Sequence, residues 1–165
     1  MRDETTERTR QVMQEFGERS EAGDETVWDD LVAADFVNHA AGPQGRDGLR
    51  TTYEHLRRDL ADVTIDAHHV LADGEYAIVH MTMRGRHVGS TMPLLTGASV
   101  AGAEVAWEFI HLWRVEDGRL AEHWACRDDV GLLRQLGAWP PPPRDGAPMT
   151  SGGSGGRMGH ADDDA

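Results

Sequence analysis

The sequence predicts an α+β fold: a cone-shaped, strongly curved antiparallel sheet wrapped by N-terminal helices and enclosing a deep pocket. Apolar residues recur at helical spacing up to Leu60 and alternate with polar ones after it. The alternating segments are joined by Asp73-Gly74 and Asp117-Gly118, turn pairs typical of hairpins rather than of parallel crossovers. Helices segregated from hairpin-linked strands indicate α+β architecture, not a doubly wound sheet. A chain of 165 residues suffices for one domain with a core and one internal pocket.

The elements follow in order. Residues 3–21 place Val12, Met13 and Phe16 on one helical stripe. Asp24 is suited to cap a second, short helix carrying Val27, Trp28, Leu31 and Val32. A short extended piece, residues 35–39, precedes a loop with Gly42, Pro43 and Gly45. A third helix near 46–60 aligns Leu49, Tyr53, Leu56 and Leu60. Strands are expected at VTIDAHHVL, EYAIVHMTMRGRHV, EVAWEFIHLWRV and RLAEHWACRD, with a loop from Gly89 to Gly102 before the third of these. Sheet curvature requires glycines and bulges, and Gly85, Gly89 and Gly102 are available for it. DVGLLRQLG closes the ordered domain, residues 1–139, as a short amphipathic helix. Residues 140–165 are rich in Pro and Gly and end in an acidic run, so a flexible tail is expected there.

Composition excludes several chemistries. Acidic residues number 29 against 16 basic ones, a formal charge of −13, which repels nucleic-acid backbones and anionic membranes. No apolar run reaches the ~20 residues of a membrane span. MRDETTERTR lacks an apolar signal core, and the single cysteine, Cys126, forms no intrachain disulfide; a cytoplasmic location is expected. All 16 basic residues are arginine, so a lysine Schiff base, a lysine-bound pyridoxal phosphate and a P-loop lysine are excluded. No histidine pair has the spacing of a metal site, and no metal is expected.

The last hairpin holds the best constellation. Alternation puts Val105, Trp107, Phe109, His111 and Trp113 on one face, a flat apolar surface with one titratable point, suited to a planar carbon-rich ligand. The same rule puts Glu122, Trp124, Cys126 and Asp128 on one face of the partner strand and turns His123 away. If Trp124 points inward, so does Asp128, where desolvation raises a carboxyl group's pKa toward the range of a general acid/base. The pattern equally suits Asp128-Asp129 as the cap of the terminal helix. Arg127 is either a surface residue or the partner of Glu122. In FVNHA, His39 is either a structural hydrogen-bonder or a catalytic group, and Asn38 either binds a carbonyl or shapes the turn. Tyr53 is a core residue whose hydroxyl can reach the cavity edge.

DFVNHA, RGRHVGSTMPLLTG, EFIHLWRVEDGRLAEHW and RDDVGLLRQLG together resemble the SnoaL-like polyketide cyclases (ester cyclases) of the nuclear-transport-factor-2-like superfamily, over roughly residues 5–138. The resemblance implies a cone fold and ring closure by intramolecular aldol condensation, without metal or cofactor. It implies Asp128 as general acid/base, four residues after Trp124, assisted by His111. Asn38, His39, Tyr53, Trp107, Phe109, Trp113 and Trp124 then contact a small polyketide-like substrate. The cyclases' glutamine two residues before the strand histidine is Phe109 here, which keeps two alternatives open: a related cyclase forming an oxygen heterocycle, or a non-catalytic binding cone. Ala106, Ile110 and Leu112 on the outer sheet face suggest a homodimer or higher homo-oligomer.

Overall fold

The computed structural model describes residues 2–99 and 102–139; the expected tail lies outside the described residues. Helix α1 (Arg2–Glu21) buries Thr9, Val12, Met13, Phe16 and Ser20, the i, i+3/i+4 stripe that directs a helix onto a core. Its N-terminal half is tied to the turn between two strands: Thr9 Oγ1 donates to the Gly74 carbonyl at 2.8 Å, and Gly74 N donates to Thr6 Oγ1 at 2.9 Å. Helix α2 (Val27–Leu31) is little more than one turn. Thr26, not Asp24, is its N-cap; Asp24 instead accepts from Thr26 N at 2.9 Å and holds Arg19.

Strand β1 (Val32–Asn38) leads to helix α3 (Gly45–Asp59), which passes without a break into β2 (Leu60–Asp73). Leu60 is therefore the buried first residue of a strand rather than the last turn of the helical stripe. Strands β3 (Tyr76–His87), β4 (Glu104–Glu116) and β5 (Arg119–Arg127) follow, and helix α4 (Asp129–Gln135) ends the described chain. The sheet order is β1-β5-β4-β3-β2. Neighbours from β2 to β5 are antiparallel, but β1 pairs in parallel with β5, so the sheet is mixed rather than purely antiparallel. The cause is topological: α3 carries the chain from one edge of the sheet to the other, leaving β1 to cover the β5 edge.

Bulges bend β2 at Ala61/Thr64 and Ala67/His69. Opposite the first, Gly85 lets the strands approach closely: a Cβ there would lie 3.1 Å from the Ala61 carbonyl oxygen. The curved sheet holds two apolar clusters. One packs Phe16, Trp28, Phe36 and Trp113 under the N-terminal helices. The other packs Trp107, Phe109, Leu95 and Leu132 where α4 and the 93–95 turn close the opposite end.

A third bulge decides the site. After the Asp117-Gly118 turn, Val115 pairs with Leu120 but Arg114 pairs with Glu122, so Ala121 is an extra residue on β5. One extra residue reverses the facing of everything after it. Trp113 therefore faces His123, His111 faces Ala125 and Phe109 faces Arg127. The alternation expected along β5 holds, but the inner face is the other one: His123, Ala125 and Arg127 point inward, while Glu122, Trp124 and Cys126 point outward.

Candidate functional site

A cavity of about 760 Å³ lies between α1, α3 and the inner face of the sheet, within the range that holds drug-sized ligands. Its walls are largely apolar, with Met13 and Phe16 from α1, Leu56 from α3, and Val79, Met81 and Met83 from β3. Polar side chains at Gln14, Glu18 and Glu21 on α1 and Arg57 on α3 mark the helical side. From β4 come His111 and Trp113. Tyr53 lines the cavity as expected, and burial pushes its phenol up to about 12.

Behind His111 runs a chain of polar groups. His111 Nδ1 lies 2.8 Å from His123 Nε2, and His123 Nδ1 lies 3.1 Å from Asn38 Oδ1. The rings of His111 and Trp113 stack with that of His123, at 5.1 Å and 4.0 Å between centroids. Burial, and secondarily the Arg127 guanidinium, lowers His111 to about 4; burial, with neighbouring His111, Arg127 and His39, lowers His123 to about 3. Both rings are neutral at pH 7. Asn38 is buried, and both ends of its amide are held within the protein: Oδ1 also accepts from Ala40 N at 3.1 Å, and Nδ2 donates to the Pro43 carbonyl at 3.3 Å.

The remaining expected site residues lie elsewhere. Asp128 is exposed, and its Oδ1 accepts from Gly131 N at 2.8 Å as the N-cap of α4. It does not line the cavity, because strand facing after the Ala121 bulge turns its side of β5 outward. Trp124 and His39 stack on each other on the outer surface, centroids 4.3 Å apart, where His39 Nε2 meets Glu122 Oε2 at 2.7 Å. Trp107 and Phe109 face inward as expected but are covered by α4 and the 93–95 turn; Phe109 stacks on His111 at 5.1 Å without lining the cavity itself. Glu122 pairs with Arg114 at 2.6 Å, and Arg127 pairs with Asp129 at 3.0 Å, not with Glu122. His123 is the inward residue beside His111 that alternation alone misses. The readable signal was the Leu120-Ala121 pair: without a bulge there, the charged Glu122 would face Trp113 in the interior. Among the described residues, no group of three or more His, Cys, Asp or Glu is arranged to hold a metal ion. None of the described helices is long and apolar enough to cross a membrane.

The arrangement thus offers an apolar chamber with a neutral imidazole on its sheet wall. No carboxylate from β4 or β5 lines it; its acids are Glu18 and Glu21 of α1. Such a site can bind a flat, mostly carbon molecule and take one proton from it.

The model of the SnoaL-like polyketide cyclase family matches residues 8–136. Aklanonic acid methyl ester cyclase DnrD of Streptomyces peucetius is 37% identical over 71 residues, 42% of this chain and 46% of that one. The match therefore spans less than half the length of that relative. Nogalonic acid methyl ester cyclase of Streptomyces nogalater is 30% identical over 124 residues, covering 68% of this chain and 85% of the relative. TsrD from Streptomyces laurentii has a structure similar at a TM-score of 0.69 and 27% identity, over 79% of this chain and 96% of that one. By matched span, identity and fold, the chain belongs to the SnoaL-like polyketide cyclase family.

Proposed function

We propose that the protein closes a ring in a polyketide-type ester by intramolecular aldol-type acid/base chemistry, with His111 moving the proton. The observation that carries this reading is a neutral imidazole presented to an apolar cavity of about 760 Å³. A carbon flanked by carbonyls is acidic enough for a weak base, and its enolate spreads charge into the substrate. His111 takes the C–H proton, the enolate carbon bonds to the facing carbonyl carbon, and the imidazolium returns the proton to the new alkoxide. The sum is an isomerisation that consumes no co-reactant. Holding carbon and carbonyl together supplies several kcal/mol of the barrier reduction. Trp113, Phe16 and Tyr53 would hold the rings, which leaves Asp128 to its helix.

The test is incubation with aklanonic- and nogalonic-type methyl esters, read by chromatography and NMR of the product. Ring closure without added metal or cofactor is expected. Binding without turnover of either ester would favour a non-catalytic binding cone, and turnover confined to an epoxy-alcohol would favour formation of an oxygen heterocycle.

A further inference from the structure

We infer that Asn38 and His123 are positioning residues that fix His111 in the tautomer whose bare Nε2 faces the cavity. This rests on His111 being the proton-moving group, and it assigns that group its direction.

The argument begins at an amide. Asn38 Oδ1 accepts from Ala40 N, while Nδ2 donates to the Pro43 carbonyl, so two independent partners orient the side chain. An amide oxygen only accepts; His123 Nδ1, 3.1 Å away, must therefore carry the hydrogen. His123 is buried and hydrogen-bonds no carboxylate, and the Arg127 guanidinium further disfavours a cation there. A neutral ring with hydrogen on Nδ1 has a bare Nε2. Across 2.8 Å, that nitrogen accepts from His111 Nδ1. His111, also neutral, is left with a bare Nε2 on its cavity side, and no described residue hydrogen-bonds that atom. Each imidazole is thus held in the Nδ1–H form, the less populated tautomer of free histidine.

The polarity has a chemical consequence. When His111 Nε2 takes a proton, its Nδ1–H bond to His123 becomes charge-assisted and strengthens as the charge develops. His123 and Asn38 do for this ring what a carboxylate does in a catalytic triad, but without a negative charge. Ala125, opposite His111, leaves no carboxylate on that part of β5.

Long-range 1H–15N correlation on the full chain labelled with [15N]histidine reads the tautomers directly, with no substrate present. At pH 7.5 the signals lost in His111→Gln and His123→Gln are expected to report Nδ1–H rings. In Asn38→Leu the acceptor is gone, so both rings should revert to Nε2–H, and kcat should fall 10- to 100-fold with KM within about threefold. Asn38→Gln keeps a neutral amide acceptor and should retain more of the Nδ1–H pattern and of kcat than Asn38→Leu does. An Nε2–H form of His111 in the wild-type protein would overturn the inference, as would an Asn38→Leu spectrum identical to it. If the tautomers are as stated and no ester is cyclised, the hydrogen-bond chain stands and the cyclase reading falls.

Discussion

His111 and Asp128 lie near opposite ends of the same physical scale. One is a neutral ring backed by two polar side chains in series, His123 and Asn38; the other is an exposed carboxylate spent on the first turn of a helix. His111→Gln keeps the size and a hydrogen-bonding group but cannot take a proton. It is expected to lower kcat at least 100-fold, with binding of the ester, read by calorimetry, changed by less than about threefold. Asp128→Ala should do the reverse: unfolding free energy falls by about 1 kcal/mol in urea titration, the usual worth of an N-cap, and kcat stays within about twofold. Loss of turnover in a well-folded Asp128→Asn protein would return the catalytic role to that residue. Asp128-x-x-Gly131 is legible as a cap because a Cβ on Gly131 would collide with the Asp128 carboxylate. The same four residues also lie in the motif that carries the family resemblance, and a pattern alone does not say which constraint it records.

At the scale of elements, periodicity located the helices and strands because burial forces it. Trp107, Phe109, His111 and Trp113 shared a face in sequence and do so in the fold. What periodicity does not carry is register across a bulge, and one residue at Ala121 exchanged His123 for Trp124 on the inner face. Nor does it carry β1, whose partner lies far along the chain and whose pairing is parallel. A second long-range device is equally silent in sequence. Asp59, the last residue of α3, is fully buried, and its carboxylate accepts from Thr91 N and Met92 N, both at 2.7 Å. That anchors the loop whose 93–95 turn covers Trp107 and Phe109. Gly89 is required beside it, since a Cβ there would meet the Arg58 carbonyl oxygen at 2.7 Å. Asp59→Asn places an amide NH2 against one of the two backbone donors. It should cost about 2 kcal/mol of stability in urea unfolding, the scale of a charged hydrogen bond lost in the interior; a cost below about 0.5 kcal/mol would mean that the loop holds without it.

For the whole molecule, two questions of charge remain: what covers the sheet, and how the fold responds to acid. The outer face exposes Leu71, Ile78 and Ile110 among polar groups that already have partners, Arg84 with Asp66 and His80 with Glu108. Local pairing lets a second copy approach despite the chain's −13 charge, so sedimentation should give twice the chain mass, and Ile110→Arg should give the monomer. A wild-type monomer would leave the face as ordinary surface. Acid acts through the buried pair. In the unfolded chain both histidines titrate near 6.5, whereas in the fold His111 is lowered to about 4 and His123 to about 3. Between these limits the unfolded state binds more protons, so their contribution is fully present above pH 6.5 and declines as pH falls toward 3. The groups facing them are Arg127 and His39, and neither reverses that sign. Carboxylates with lowered pKa, Asp24 at about 2 with Glu25 and Glu122, act chiefly at and below their ordinary values of 3.8 and 4.5, where they add to the last part of the histidine effect, so the comparison is made at and above pH 5.0. Relief of self-repulsion as pH approaches the isoelectric point near 5.0 opposes the histidine effect, so the comparison must be with a variant. Urea unfolding at pH 7.5 and 5.0 is expected to show a larger loss on acidification in the wild-type protein than in His123→Gln, whose side chain does not titrate. Equal losses in the two proteins would mean that His123 takes up protons in the folded state as readily as in the unfolded chain, and the neutral pair on which the cavity's chemistry depends would then be broken at pH 5.0.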